Sequence, residues 1–325
     1  MSSLSRILGA ALVGAATLLT GTAHADTSYP TRPIRLIVGF SPGGPTDIVA
    51  RLLAQNMGVT LGQNVVVENK PGANSNIAAS EVAKAPADGY TLLYNTSSIA
   101  ISPSIYKNLT YDVKTALTPV GLSANVPIVL EVNPKLPVKD IKEFEAHLKE
   151  KKGNVTYSST GNGSITQLAA ALVLNKLDTQ AIHVPYPGSA PALVDLSSGV
   201  VDFMADTVNS SLPFIKDGRL RAIAVTSKER LKVLPDVPTL GELGLQDVEI
   251  GAWQGIMAPA GTPQPIIDKL NAALQTALKD PGVLKALALQ ATDPLGGTPA
   301  EYGRYLDSEM ARFKKLVDAN KIQMN

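Results

Sequence analysis

Five short stretches of this chain are rich in glycine or in small polar side chains: Ser41–Asp47, Gly72–Asn76, Asn95–Ser98, Ser158–Ser164 and Pro187–Ala190. Each follows a run that reads as a strand, and most precede a run that reads as a helix. In open α/β sheets such loops gather at the carboxyl ends of the strands, where ligands bind. A helix N-terminus offers free N–H groups and about half a positive charge, which suits an anion. Each such end contributes roughly 0.3–2 kcal/mol, so several converging ends hold a carboxylate without arginine. None of the five stretches contains Arg or Lys. Candidate contacts on the earlier loops are Ser41, Pro42, Gly43, Gly44, Asn74, Asn76, Thr96 and Ser97. Those on the later loops are Thr160, Gly161, Asn162, Gly163, Ser164, Gly188, Ser189 and Ala190. Aspartate in place of Gly43 or Gly163 is expected to block binding, by bulk and by like charge.

Three of the polar side chains have a plainer reading beside the functional one. Ser164 and Gln167 form an S-x-x-Q capping box, so the serine hydroxyl serves its own helix or a ligand. Asp47 reads as a first-turn acid that balances a helix dipole. Asp206, followed by Thr207, repels a carboxylate but accepts from a ligand hydroxyl or ammonium group; the plain alternative is an exposed acid.

Other chemistries lack their residues. There is no G-x-S-x-G elbow, no P-loop and no H-E-x-x-H. Gly161-x-Gly163 starts a dinucleotide fingerprint, but Thr166 stands where its last glycine or alanine belongs. Cysteine is absent, which excludes disulfides, thiolate metal sites and a cysteine nucleophile. Beyond residue 25 the only histidines are His147, in a charged helix, and His183, in an apolar strand where it reads as a satisfied structural residue. No base stands beside a nucleophile, so no enzyme is expected, and neither a metal nor a cofactor.

The elements that carry these loops alternate. Ile34–Val38, Val65–Val67 and Tyr90–Tyr94 read as strands, with helical spacing at Ile48, Val49, Leu52, Leu53 and Met57. A second block repeats the pattern, with strands at Val155–Ser158, Ile182–Val184, Val201–Met204 and Leu220–Val225. The alternation predicts a largely parallel α/β sheet. After Val248–Ala260 the chain reads as helical. Thr262-Pro263 and Thr298-Pro299 read as helix starts with Thr at the N-cap, and Glu301 completes a capping box in the second.

The N-terminus carries Arg6, an apolar run from Ile7 to Leu19, and the small-x-small end Ala23-His24-Ala25. This pattern is a secretory signal peptide, and the run is shorter than the roughly 20 residues that cross a bilayer. Cleavage after Ala25 is expected, placing the product in the periplasm. The chain has 325 residues, and a length near 300 usually splits into two domains. With 29 basic and 28 acidic residues in all, it carries no basic excess for a nucleic acid.

Eight stretches then resemble one family in order along the chain. They are Tyr29-Pro30-x-Arg32-Pro33-Ile34, Pro42-Gly43-Gly44-x-x-Asp47, Val66–Ala73, Ala85-Pro86-x-Asp88–Leu92, His183–Tyr186-x-Gly188–Pro191, Leu220–Thr226, Leu234–Thr239 and Ala258–Pro263. The sequence is similar to the Bug-type receptors of tripartite tricarboxylate transporters. The resemblance implies a type II periplasmic-binding-protein fold, with two α/β lobes joined by crossing strands and a ligand cleft between them. Residues 26–126 and 252–325 are then one domain and 127–251 the other. It implies a small organic acid as ligand (a di- or tricarboxylate or an aromatic acid) and transporter membrane subunits as partners of a monomeric receptor. Pro42, Gly43, Gly44 and Asp47 would grip one end of the ligand. Thr160–Ser164 with Gly188–Ala190 would hold a carboxylate. A sensing module acting on a signalling partner is the alternative. The chain departs from the family at Gln167, where His is common, and near Asn74–Asn76, where two glycines are common.

Overall fold

The structure, a computed structural model, describes residues 29–319. The signal peptide and its cleavage after Ala25 lie outside the described residues. The chain runs β1 (Ile34–Val38), α1 (Pro45–Leu61), β2 (Val65–Asn69), α2 (Asn76–Ala83), β3 (Thr91–Thr96), α3 (Ser98–Ile105), α4 (Val113–Ala116) and β4 (Leu117–Val132). Then follow α5 (Ile141–Lys151), β5 (Thr156–Ser159), α6 (Ile165–Lys176), β6 (Ile182–Pro185), α7 (Ser189–Ser198), β7 (Phe203–Thr207), α8 (Val208–Lys216) and β8 (Arg221–Val225). The last elements are β9 (Gly251–Pro259), α9 (Gln264–Lys279), α10 (Pro281–Leu289), β10 (Asp293–Pro294) and α11 (Pro299–Ala319).

The strands follow the order β2-β1-β3-β9-β4-β7-β5-β6. β1, β2 and β3 pair in parallel, as do β5, β6 and β7. β4 and β9 run antiparallel to each other and to their neighbours, so the sheet is mixed where the sequence suggested a largely parallel one. The reason is topological: the chain leaves one lobe along β4 and returns along β9. β4 pairs with β9 from Leu117 to Pro127, and from Ile128 to Val132 it pairs with β7. One strand therefore serves both lobes. At this seam the Thr226 hydroxyl donates to the Ile250 carbonyl (2.5 Å) and accepts the Ile128 N–H (3.3 Å), tying the two crossing segments together. Gly251 lacks a Cβ where one would collide with the Asn125 side chain, so the crossing strands pack closely.

The inner strands β1 and β3 are covered on both faces, which explains why they are buried along nearly their whole length instead of alternating. In the first lobe Ile34, Leu36 and Val38 pack on Val49, Leu53 and Met57 of α1 and on Leu270 and Leu274 of α9. Ile37 and Leu93 join the cluster formed with Ala78, Ile101 and Phe313 of α2, α3 and α11. In the second lobe Leu130, Val132 and Phe203 meet Phe144 of α5 and Leu168 of α6. Val129 and Val225 meet Val208 and Leu212 of α8.

Candidate functional site

The candidate loops sit at the carboxyl ends of β1, β2, β3, β5, β6 and β7, as the strand–loop–helix order requires. In the first, the Asp47 carboxylate turns inward onto its own loop. It is buried and accepts from the Gly43 N–H, Arg51 Nε and Asn69 Nδ2, each at 2.9 Å. Burial raises its pKa, but the bonds from Arg51, Gly43 and Asn69 more than offset this and the net shift is downward. Asn69 also donates to the Phe40 carbonyl (2.9 Å), so one carboxylate fixes the turn that exposes Ser41, Pro42 and Gly43. The dipole-balancing role read from sequence is thus joined by a positioning role.

In the second loop three consecutive non-glycine residues adopt left-handed backbone, with φ of 47° at Ala73, 52° at Asn74 and 73° at Ser75. For ordinary L-residues this costs about 1–2 kcal/mol each, less for Asn. Ser75 packs over Gly39, where a Cβ would collide with it. Asn76 accepts from the Tyr111 hydroxyl (2.8 Å), while its Nδ2 and the Ser75 hydroxyl are buried without partners. The third stretch is hardly a loop. Asn95 and Thr96 belong to β3 and Ser98 opens α3, because Asn95 stays in the ladder opposite Gly255. Thr96 Oγ1 lies 2.9 Å from Ser98 Oγ, and the buried Ser97 hydroxyl has no partner.

The loop after β5 is organised by its own side chains. The Gly163 N–H donates to Gln167 Oε1 at 2.6 Å, which fixes the orientation of that amide. Gln167 Nε2 then donates to His183 Nδ1 at 3.1 Å, so the imidazole proton must sit on Nε2, which donates to Ser159 Oγ at 2.6 Å. Burial lowers the His183 pKa to about 4, which keeps the ring neutral. A histidine that donates to a serine cannot take that serine's proton, so the pair is no catalytic dyad. Ser164 caps α6 through the Gln167 N–H (3.3 Å) and donates to the Gly161 carbonyl (2.7 Å). The box is displaced by one residue, since Gln167 reaches Gly163 and not the Ser164 N–H. The amides of Thr160 and Gly161 are likewise engaged, by Thr166 Oγ1 and Ser159 Oγ. Among the described residues the loop amides left uncommitted include those of Asn162, Ser189 and Ala190, the last two opening α7.

Asp206 is not a loop residue. It lies within β7, opposite Val129, and is wholly buried because the ladder with β4 extends to Thr207. One oxygen accepts from the Ser189 hydroxyl (2.9 Å); Oδ2 is buried without a partner. Burial raises its pKa to about 6, against the lowering effect of bonds from Ser189 and Thr207. Thr207 Oγ1 lies 3.2 Å from Ser210 Oγ. Glu131, also fully buried, has its pKa driven well up, first by burial and then by the Asp206 charge. It accepts from the Ser211 hydroxyl (2.7 Å), and its Oε2 is unpartnered. Ser158 Oγ and both polar atoms of the Asn209 amide are buried and unpartnered too. Sequence reasoning passed over Glu131 and Asn209, and held Ser75 and Ser158 within its candidate stretches without naming them as contacts. A lone polar residue inside an apolar strand was the available signal for Glu131.

The lobes are drawn together. Asn74 Nδ2 donates to the Gly163 carbonyl at 2.9 Å across the cleft, and a Cβ on Gly163 would lie 3.2 Å from Ile105 Cδ1. An open groove of about 760 Å³ lies elsewhere: between loop residues such as Lys228 and Lys232 and the segment Ala291–Leu295. It shares no residue with the candidate loops and mixes charges of both signs. The unpartnered buried atoms at the strand ends mark the candidate site better than this solvent-open volume does. Among the described residues no cluster of acids and histidines is suited to a metal ion, and no helix is long and apolar enough to cross a membrane.

Residues 49–322 match the profile of the tripartite tricarboxylate transporter family receptor, TctC. Protein BugT of Bordetella pertussis is 39% identical over 295 residues, covering 90% of each chain. The structure of Rhodopseudomonas palustris Rpa4515 with adipate superposes with a TM-score of 0.86 at 34% identity, covering 91% of this chain and all of that one. MatC from the same species, with bound malate, gives 0.82 at 34% identity, covering 89% and 100%.

Proposed function

Because the chain belongs to the tripartite tricarboxylate transporter receptor family, we propose that it captures a small organic acid outside the cytoplasmic membrane and delivers it to the membrane subunits of such a transporter. Like its family it is a solute-binding receptor and not an enzyme. On this reading residues 1–25 direct export and are removed after Ala25, and the free protein works in the periplasm as a monomer. Residues 26–126 and 252–325 form one domain and 127–251 the other. The ligand is a di- or tricarboxylate or an aromatic acid, held between them.

The observation that carries the reading is the set of buried polar atoms left without partners at the facing strand ends. Ser75 Oγ, Asn76 Nδ2 and Ser97 Oγ stand on the first lobe; Ser158 Oγ, Asp206 Oδ2 and the Asn209 amide stand on the second. A buried polar group without a partner costs about 1–3 kcal/mol, and a ligand with several oxygens relieves many at once. The uncommitted N–H groups of Ser189 and Ala190 suit a carboxylate, while Asp206 calls for a donor such as a hydroxyl. Adipate and malate in the two similar structures are acids of this class. The test is thermal unfolding with a panel of aliphatic dicarboxylates, hydroxyacids, tricarboxylates and aromatic acids. An acid at a hundredfold its Kd adds about 2.7 kcal/mol of stability. A melting temperature unmoved by every acid would sink the proposal.

A further inference from the structure

We infer that Asn74 is a latch that holds the two lobes together through its own side chain, whether or not a ligand is present. The bond runs from Asn74 Nδ2 to the Gly163 carbonyl at 2.9 Å and joins residues 89 positions apart, on opposite sides of the cleft. Neither end is free to drift. Asn74 sits in the middle of a three-residue left-handed turn, and Ser75 is seated on Gly39 beneath it. Gly163 has a left-handed φ of 74°, and its N–H is held by Gln167 Oε1 at 2.6 Å. Gln167 in turn is held by His183, so the acceptor carbonyl belongs to a rigid loop. Gly163 also faces Ile105 of α3, which gives the latch an apolar neighbour on the first lobe.

The backbone conformation supports this assignment. An asparagine tolerates left-handed geometry better than most residues, yet glycine would adopt it without strain. A strained turn persists where the surrounding structure holds it in place, and here its central side chain makes the hydrogen bond across the cleft. The consequence is a receptor that samples its closed form before it meets an acid. Apparent affinity rises with the fraction of molecules already competent to bind. Removing the latch therefore weakens every ligand by one common factor, whereas removing a ligand contact changes their relative order.

The test needs no ligand, so its failure is distinct from a failure of the proposed function. The chain has no native cysteine, so Val59→Cys on α1 and Val200→Cys after α7, both well exposed, accept a pair of spin labels at unique positions. Inter-label distances are then measured on full-length protein stripped of bound acid by unfolding and refolding. Wild type is expected to show a closed population. In Asn74→Asp, which replaces the donor by an acceptor of the same shape, the closed-to-open ratio falls about fivefold, the worth of one neutral hydrogen bond. Asn74→Gly gives the same fall while its melting temperature holds or rises, because the strain is relieved; a purely structural role predicts the reverse. Distance distributions that superimpose on wild type in both variants, or a ligand-free wild type with no closed population, overturn the assignment.

Discussion

Gly163 shows how much a single missing methyl group can decide. Its φ of 74° disfavours any side chain, and the space a Cβ would take is bounded by Ile105 at 3.2 and 3.4 Å. Gly163→Ala therefore strains the backbone and wedges the lobes apart. We expect about a tenfold loss of affinity for whichever acid most raises the melting temperature, measured by calorimetry, since each 1.4 kcal/mol is tenfold. Gly43 differs: its φ is 76°, but nothing lies within 4 Å of a Cβ there. An aspartate introduced at Gly43 therefore meets no protein atom; it acts through its charge, through the strain of a left-handed backbone, and through its bulk only against a ligand. Two buried titrating groups give a second test. His183 falls from 6.5 to about 4, so the folded state holds fewer protons and this term's stability, complete above pH 6.5, is lost as pH falls to 4. Asp206 rises from 3.8 to about 6, so the folded state holds more protons and stability is lost as pH rises from 3.8 to 6. The two terms oppose each other across one window. Asp206→Asn removes the second and leaves the first, so its melting temperature should fall more steeply than wild type between pH 6.5 and 4. Parallel profiles would refute the opposition.

At the scale of elements, the N-cap motifs separate what local sequence settles from what it does not. Thr298 and Glu301 form the expected reciprocal box at the start of α11: the Thr298 N–H donates to Glu301 Oε2 (2.7 Å) and the Glu301 N–H to Thr298 Oγ1 (3.2 Å). Thr298→Ala should cost about 1 kcal/mol and lower the melting temperature by a few degrees without altering ligand affinity. A drop in affinity would mean that α11 has a part in the cleft. Thr262 does not repeat the motif. Its hydroxyl turns back to the Pro259 carbonyl (2.8 Å), and Pro263 becomes the N-cap, because β9 runs on to Pro259 and the turn follows at once. β7 likewise runs on through Asp206, since pairing with β4 outweighs the weak strand propensity of aspartate. Trp253 belongs here too. Its Nε1 donates to Glu309 (3.0 Å), and its ring meets Tyr302 and Tyr305, all three on α11, so its ring is packed against that helix.

For the molecule as a whole, the proposed closure needs a hinge, and the two crossing strands tied at Thr226 are the segments that join the lobes. A ligand shifts such an equilibrium only by its differential affinity for the closed form. The small-angle scattering radius of gyration should therefore fall when a bound acid is added to stripped protein, and fall further in Asn74→Gly, which starts from a more open ensemble. An unchanged radius in both would remove closure from the account. The sequence by itself determined the alternation of strand and helix, the glycine-rich loops at strand ends, the lack of a nucleophile with its base, and the family, because periodicity, turn chemistry and ordered motifs are local properties written residue by residue. Only the tertiary structure decided that Asp47 serves its own loop, that Asp206 and Glu131 share a buried face, that Gln167 sets the His183 tautomer, and that Asn74 spans the cleft. Each of those depends on which atoms meet across tens of residues, and hydrogen-bond partners, desolvation and contact across a cleft exist only once the chain has folded.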